Sequence, residues 1–223
     1  GQAEHLQALG IDVLHELKGV GENLRDHYSP RMKWSVPREL GLTYNDKGRG
    51  LGLFWQALKY TFTNKGLLGL PAAPIRAYVR TREGLEAPDA AISWIPFLAN
   101  ENFQLHEQSG ITAITHVLRS DSTGNIHITS NDPDTPPAIR FNFLSAQTDR
   151  EILLESMRIT RRIMNASPMR DVSKDEMAPG VNAQSDVDLL EWVKHNAETT
   201  YHPVGTCKMG SDPMAVVDDQ LRV

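Results

Sequence analysis

Residues 75–97 read IRAYVRTREGLEAPDAAISWIPF, and their periodicity decides the fold class. Ile75 to Arg80 alternates apolar and polar residues, as a half-buried strand does. Ala90 to Phe97 is apolar on both faces, which predicts an inner strand that Pro96 ends or places at an edge. Working outward, Ile111 to Leu118 (ITAITHVL) predicts another strand. Asn125 to Thr129 (NIHIT) is expected to pair with it as a hairpin through the Gly124-containing loop at 120–124. Asp132 to Pro137 is a rigid turn, and Ile139 to Phe143 adds a short strand.

Helical patterns flank these strands. In LGLFWQALKYTFT (51–63), Leu51, Phe54, Trp55, Leu58 and Phe62 share one face, which predicts core packing. Thr148 and Glu151 have the spacing of a capping box and open a helix to about Ala166, with Ile152, Ser156, Ile159 and Ile163 on one side. Ser185 caps a helix over 185–197, striped by Leu189, Leu190, Val193 and Ala197, with Lys194 and His195 suited to its C-terminal end. Upstream, residues 2–9 form a short helix stopped at Gly10, and Ile11 to Val13 favour β structure. Residues 167–184 read as a loop, and no internal repeat is present. The whole predicts an α+β fold, a mainly antiparallel β-sheet flanked by helices.

Composition narrows the function classes. The chain has 223 residues and a formal net charge of −5, with 40% hydrophobic and 23% charged residues, ordinary globular usage. No dense Lys/Arg stripe points to nucleic acid. Cys207 is the single cysteine, so no internal disulfide forms, and a reducing, cytoplasmic compartment is the expectation. No apolar run reaches the ~20 residues of a membrane span, and no secretory leader is visible. The first residue is Gly rather than Met, so an address further upstream is outside this sequence.

Several chemistries find no support. His106, His116 and His127 lack metal-ligand spacing, so no metal site is expected. No G-x-S-x-G elbow occurs. Gly19 and Gly21 fail the dinucleotide fingerprint because Leu24 stands where the third glycine belongs, and a tight turn is the local reading. Gly48 to Gly52 fails likewise. Cys207 is expected to be a small buried residue in a turn. Asp218 and Asp219, as strand neighbours, would face opposite ways and share no proton.

The string Tyr201-His-Pro-Val-Gly-Thr-Cys-Lys-Met-Gly210 remains. Pro203 disfavours the α region at His202, holding the histidine in extended backbone, and stiff backbone suits a base that must stay in place. A neutral imidazole can take the hydroxyl proton of an alcohol. The hydride that leaves the same carbon needs an acceptor no side chain provides, so a cofactor is required.

YHPVGTCKMG followed by VVDDQLRV resembles the C-terminal signature of the glucose–methanol–choline (GMC) family of FAD-dependent alcohol oxidoreductases. GVGENLRDH (19–27), after HLQALGIDV, resembles the family's passage from the FAD domain into the substrate domain. RSDSTGNIHITSNDPDTPPAIRFNFLS is similar to its C-terminal half. The resemblance implies that His202 is the active-site base, that FAD N5 takes the hydride, and that the substrate is a small-molecule alcohol. It places Tyr201 and Thr206 beside the base and Trp94 over the reacting face of the flavin, although a core aromatic is an equal reading of Trp94. It assigns no cofactor-binding residue here.

By the same resemblance, residues 1–28 are the tail of the FAD domain and a connector, 29–198 the substrate-binding domain, and 199–223 an active-site segment returning toward the FAD domain. The Gly-rich FAD fingerprint is absent, as is the later segment where the family places a second active-site His or Asn. The chain therefore reads as the substrate-side portion, partnered by missing FAD-binding segments and holding FAD weakly alone. The competing reading is a catalytically silent α+β fragment or binding module without cofactor. A hydrolase using His202 with Cys207 is disfavoured, since the pair has no evident hydrogen-bonding geometry.

Overall fold

The computed structural model describes residues 1–100, 102 and 104–223. Its elements run α1 (Ala3–Ala8), β1 (Tyr28–Ser35), α2 (Tyr44–Lys47), α3 (Gly50–Thr63), β2 (Ile75–Val79), β3 (Ala90–Ile95), β4 (Gly110–Val117), β5 (Asn125–His127), β6 (Ala138–Arg140), α4 (Gln147–Asn165), α5 (Met169–Val172), β7 (Glu176–Ala178), α6 (Asp186–Asn196) and β8 (Ala197–Thr199). They fall into two compact units. One comprises Gly1–Tyr28, Arg119–Asp149 and Thr199–Val223; the other comprises Ser29–Leu118 and Arg150–Glu198.

The second unit is built on a six-stranded sheet of order β2-β3-β4-β1-β7, with β8 also paired to β1. The pairings β2–β3, β3–β4, β4–β1 and β1–β7 are all antiparallel. This is the α+β architecture that the alternating strands predict. All but the last residue of β3 are buried, as expected for a strand apolar on both faces. β1 is the strand the sequence reading passes over. It carries Pro30, but Met32 and Trp34 are buried and alternate with Arg31 and Lys33, a period-2 signal.

α4 supplies much of the core, and of its expected stripe Ile152 and Ser156 are buried. Leu153, Ser156, Met157, Thr160 and Met164 are almost fully buried, whereas Ile159 and Ile163 are only partly so. Two hydroxyls enter the stripe because the helix satisfies them. Ser156 Oγ donates to Leu153 O at 2.7 Å and Thr160 Oγ1 to Ser156 O at 2.8 Å. Thr115 Oγ1 on β4 in turn donates to Ser156 Oγ at 2.8 Å. Buried hydroxyls that are bonded in this way carry little cost. The helix starts at Gln147, so Thr148 lies in its first turn rather than capping it. Ser185 does cap α6 in a reciprocal box with Asp188, and Leu189 and Val193 are fully buried.

α3 corrects the expectation of core packing. No residue of the helix is buried, and Leu51, Trp55 and Phe62 are 78%, 64% and 80% exposed. Periodicity identifies an apolar face but not what covers it. β2 lies at the sheet edge, and its Ile75 and Tyr78 are exposed rather than half-buried.

In the first unit, β5 pairs antiparallel with β6, with Ile126 opposite Ile139. This corrects the hairpin expected between 125–129 and 111–118. Residues 120–122 are not a hairpin tip. The Asp149 carboxylate gathers them by accepting from Ser120 Oγ, from the Asp121 amide at 2.9 Å and from the Ser122 amide at 2.8 Å. The chain is thereby turned away before β5 begins. Ile11 to Val13 form no strand.

Candidate active site

The site lies in the first unit, where the two ends of that unit's sequence meet. Arg25 and Val204 form an antiparallel bridge, each amide donating to the other's carbonyl at 2.9 Å. The Thr200 amide donates to His27 O at 3.0 Å, and the Gly21 amide to Thr206 O at 3.0 Å. The strings GVGENLRDH and YHPVGTCKMG are therefore zipped together.

Asp26 is the centre of this junction. It is 6% exposed. Its carboxylate accepts from the His27 amide at 2.7 Å, the His202 amide at 3.1 Å and the Thr199 hydroxyl, with Thr200 Oγ1 at 3.5 Å. A buried carboxylate is tolerated when donors surround it, as here. The ring of His27 meets that of His202 edge to face, with centroids 5.9 Å apart.

His202 is exposed, and Thr200 Oγ1 lies 3.4 Å from its Nδ1. Its Nε2 has no hydrogen-bond partner among the described residues. That leaves one ring nitrogen available to a substrate hydroxyl, the geometry a general base needs. Tyr201, in the left-handed region at φ 62°, is 72% exposed. Thr206 is partly buried and is held through its carbonyl. Three residues after His202, Gly205 has φ +98°, and a Cβ there would stand 2.3 Å from Asn23 O. Only glycine makes this turn without strain. Asn23 Nδ2 donates to Gly205 O at 3.3 Å, and Arg25 Nε to Asn23 Oδ1 at 3.2 Å.

Three of the sequence-predicted residues, Tyr201, His202 and Thr206, thus share one segment. Trp94 belongs to the second unit, on β3, where it faces a small apolar hollow of about 220 Å³ with Ile75, Ile111, Ile163 and Met169. Its Nε1 is buried with no partner among the described residues. A larger cleft of the same unit, about 450 Å³, is lined by Arg31, Lys33, Phe97, Trp192, His195 and Glu198 among others, with Arg31 paired to Glu198 at 2.8 Å. Sequence reading missed Asp26 and His27 as companions of His202. Both stand in the quoted GVGENLRDH string, but a single sequence does not bring position 26 beside position 202.

Two further expectations are corrected. Cys207 is exposed rather than buried. Asp218 is not in a strand but in a turn, where it accepts from the Gln220 and Arg222 amides at 2.9 Å and from Arg222 Nε at 2.8 Å. The Arg222 hydrogen bonds hold its carboxyl below the usual range. Among the described residues, no group of three or more His, Cys, Asp and Glu could hold a metal ion.

The Gly19–Gly21 turn offers no cradle for a dinucleotide pyrophosphate. Backbone carbonyls of the chain itself occupy the space a phosphate would need at the Gly19–Gly21 turn. Met214 O stands 2.0 Å from a Cβ built on Gly19, and Ile126 O stands 2.3 Å from one on Gly21. The His202 ring, by contrast, is exposed.

Residues 120–223 match the family model described as GMC oxidoreductase. Over its whole length the chain is 36% identical to an oxygen-dependent choline dehydrogenase of Pseudomonas aeruginosa, of which it covers 40%. It is equally 36% identical to oxygen-dependent choline dehydrogenase 1 of Chromohalobacter salexigens, again covering 40%. Among solved structures, a formate oxidase of Aspergillus oryzae superposes with a TM-score of 0.88 at 20% identity, covering 100% of this chain and 44% of that one. Pyridoxine 4-oxidase gives a TM-score of 0.76 at 21% identity over 100% of this chain and 40% of that one. These structural likenesses speak for the fold. The chain spans about 40% of the length of the curated relatives it matches.

Proposed function

We propose, from the match of residues 120–223 to the GMC oxidoreductase family model and the 36% identity to choline dehydrogenases, that the chain is the substrate-side portion of a flavin-dependent alcohol oxidoreductase. The substrate class is a small CH–OH donor, choline or a similar alcohol, oxidised to the aldehyde or ketone. The observation that carries the proposal is His202, an exposed imidazole with a free Nε2, whose backbone is tied to a buried carboxylate.

In this reading His202 Nε2 takes the hydroxyl proton of the alcohol, while Thr200 Oγ1 meets the other ring nitrogen. Asp26 keeps the base in place. Tyr201 and Thr206 border it, and Trp94 with the cleft beside β1 belongs to the substrate-binding domain of residues 29–198. FAD, when bound, supplies the acceptor for the hydride, and chain outside these residues supplies its phosphate cradle. By themselves the 223 residues should hold FAD weakly, and a stoichiometric flavin band on the purified piece would contradict that part. We place the enzyme in the cytoplasm.

The test is His202→Ala in the full-length, flavin-loaded enzyme. Loss of a general base costs about 10²–10⁴-fold in rate. The loss should appear in anaerobic stopped-flow flavin reduction by a good alcohol, with flavin content and folding little changed. Replacing His106, His116 or His127 should do far less. Flavin reduction at the wild-type rate between about pH 6 and 9, where an imidazole works as a base, would make His202 structural and leave the chain a silent fold.

A further inference from the structure

We propose that the cleft of about 450 Å³ in the second unit binds the carboxylate of a small organic anion with an aromatic or aliphatic body, and that the alcohol oxidised by this protein carries such a group. The binding half stands on the cleft alone. The substrate half rests on the proposed reading of residues 29–198 as the substrate-binding domain.

The two faces of the sheet differ. Thr115 Oγ1 on β4 donates to Ser156 Oγ of α4, so Thr112 and Ile114 point from the face away from that helix. Lys33 stands opposite Thr112, Arg31 opposite Ile114, and Ile95 opposite Thr112, and residues directly opposite share a face. All five line the cleft. β1 lies between β4 and β7, so its two cations rise from inside the sheet rather than from its edge.

The walls are apolar and held in place. Ile95, Phe97, Ile114 and Trp192 are each partly buried. The Phe97 ring stacks on that of Tyr44 with centroids 5.7 Å apart, and the Phe97 carbonyl accepts from Thr112 Oγ1 at 2.7 Å. Small-molecule sites of roughly 300–1,000 Å³ combine such walls with a few polar groups.

The charges decide what enters. Among the described lining residues the cations are Arg31, Lys33 and, when protonated, His195, and the acid is Glu198. Glu198 is already paired with Arg31 at 2.8 Å, and His195 Nε2 meets Glu191 Oε1 at 3.1 Å. Lys33 remains. It is partly buried, and its ammonium has no hydrogen-bond or ion-pair partner among the described residues. A charge drawn out of water against apolar walls is costly until an opposite charge meets it. One unpaired positive charge calls for one negative charge, which a carboxylate supplies. A phosphate dianion would bring a second charge with no partner. A quaternary ammonium also suits aromatic walls, but here it would face Lys33 with no free acid among the described lining residues to offset it.

The experiment has two arms, both on the full-length, flavin-loaded enzyme. In isothermal titration calorimetry, benzoate should bind saturably, and benzyltrimethylammonium, which puts the opposite charge on the same ring, should not. Lys33→Gln should weaken benzoate binding by about tenfold or more, the loss of one hydrogen bond to a charged group. Lys33→Arg should restore most of it. In steady-state kinetics, 4-(hydroxymethyl)benzoate should have a higher kcat/KM than benzyl alcohol. Lys33→Gln should cut the ratio of the two by about tenfold, mainly through KM.

Wild-type enzyme that ignores benzoate, or a Lys33→Gln variant that binds it as tightly, would overturn the site. Tighter binding of benzyltrimethylammonium than of benzoate would do the same. Equal use of the two alcohols by the wild type would overturn the substrate half. Calorimetry needs no turnover, so it reads the site whether or not His202 is the base, and the two readings fail separately. If Lys33→Gln lost thermal stability, Lys33→Met, which keeps the aliphatic stem, would supply the same comparison.

Discussion

The Asp26 carboxylate accepts the backbone amide of His202 at 3.1 Å, although 176 positions separate the two residues. Asp26 also accepts from the amide of His27 and the hydroxyl of Thr199. One buried acid thus holds both strings that carry histidines at the site. Asp26 touches His202 through its backbone and leaves the imidazole free, so in the proposed reaction it acts by positioning His202.

Asp26→Ala should therefore lower flavin reduction by about 10²-fold in the full-length enzyme, the cost of a misplaced catalytic group. Asp26→Asn, which keeps an acceptor oxygen, should restore much of the rate. The decisive measurement is the double variant. Added to His202→Ala, Asp26→Ala should cost little more, because residues acting through one another are not additive. Fully additive losses would separate the two.

Gly205→Ala should strain the turn behind the base. At φ +98° its Cβ would overlap Asn23 O, 2.3 Å away, so the backbone must move and the Asn23–Gly205 hydrogen bond with it. Destabilisation of at least about 1 kcal/mol is expected, measured by urea unfolding, together with slower flavin reduction. A variant as stable as wild type would mean that the turn is soft.

Asp149 makes stability depend on pH. Burial pushes its carboxyl up, but hydrogen bonds from Ser120 and Ser122 and the amides of Asp121 and Ser122 outweigh burial and hold it below the usual range. A depressed pKa stabilises the folded state above the unfolded value, about 3.9, and that contribution is lost as pH falls through the folded pKa. At neutral pH, Asp149→Ala should cost about 1–3 kcal/mol, since the buried Ser122 amide loses its acceptor. The difference from wild type should shrink below about pH 4. Parallel stability curves across that range would refute the assignment.

Arg161 anchors the segment before α6. Its Nε lies 3.0 Å and 3.1 Å from the two oxygens of Glu176, its guanidinium also donates to Ala183 O at 2.8 Å, and both side chains are 13% exposed. Removing one partner of such a pair strands the other, so Arg161→Ala should cost about 3 kcal/mol in chemical denaturation. Arg161→Met combined with Glu176→Leu should recover most of that loss. A pair that is no better than the single variant would show that the lost backbone bonds dominate.

Much of this protein was written in local pattern. Alternation located β2, the run ITAITHVL located β4, and the doubly apolar run located β3. Ser185 was enough to start α6, and Pro203 and the surrounding string singled out His202. Each of these rests on interactions within a few residues, which a single sequence records directly. The misses share a different cause. Asn125 to His127 have strand character wherever they pair, so sequence could not choose between β4 and β6, and Asp149 decided it. The α3 face is equally apolar whether covered or bare. Whether Cys207 is exposed depends on how its turn is folded, not on its side chain. Asp26 looked like one more acid until the fold carried residue 202 to it. Local free energies of turns, caps and side-chain alternation are set by neighbouring residues. Pairing partners, burial and the company kept by a catalytic group are set by contacts between distant segments, and those exist only once the chain has closed on itself.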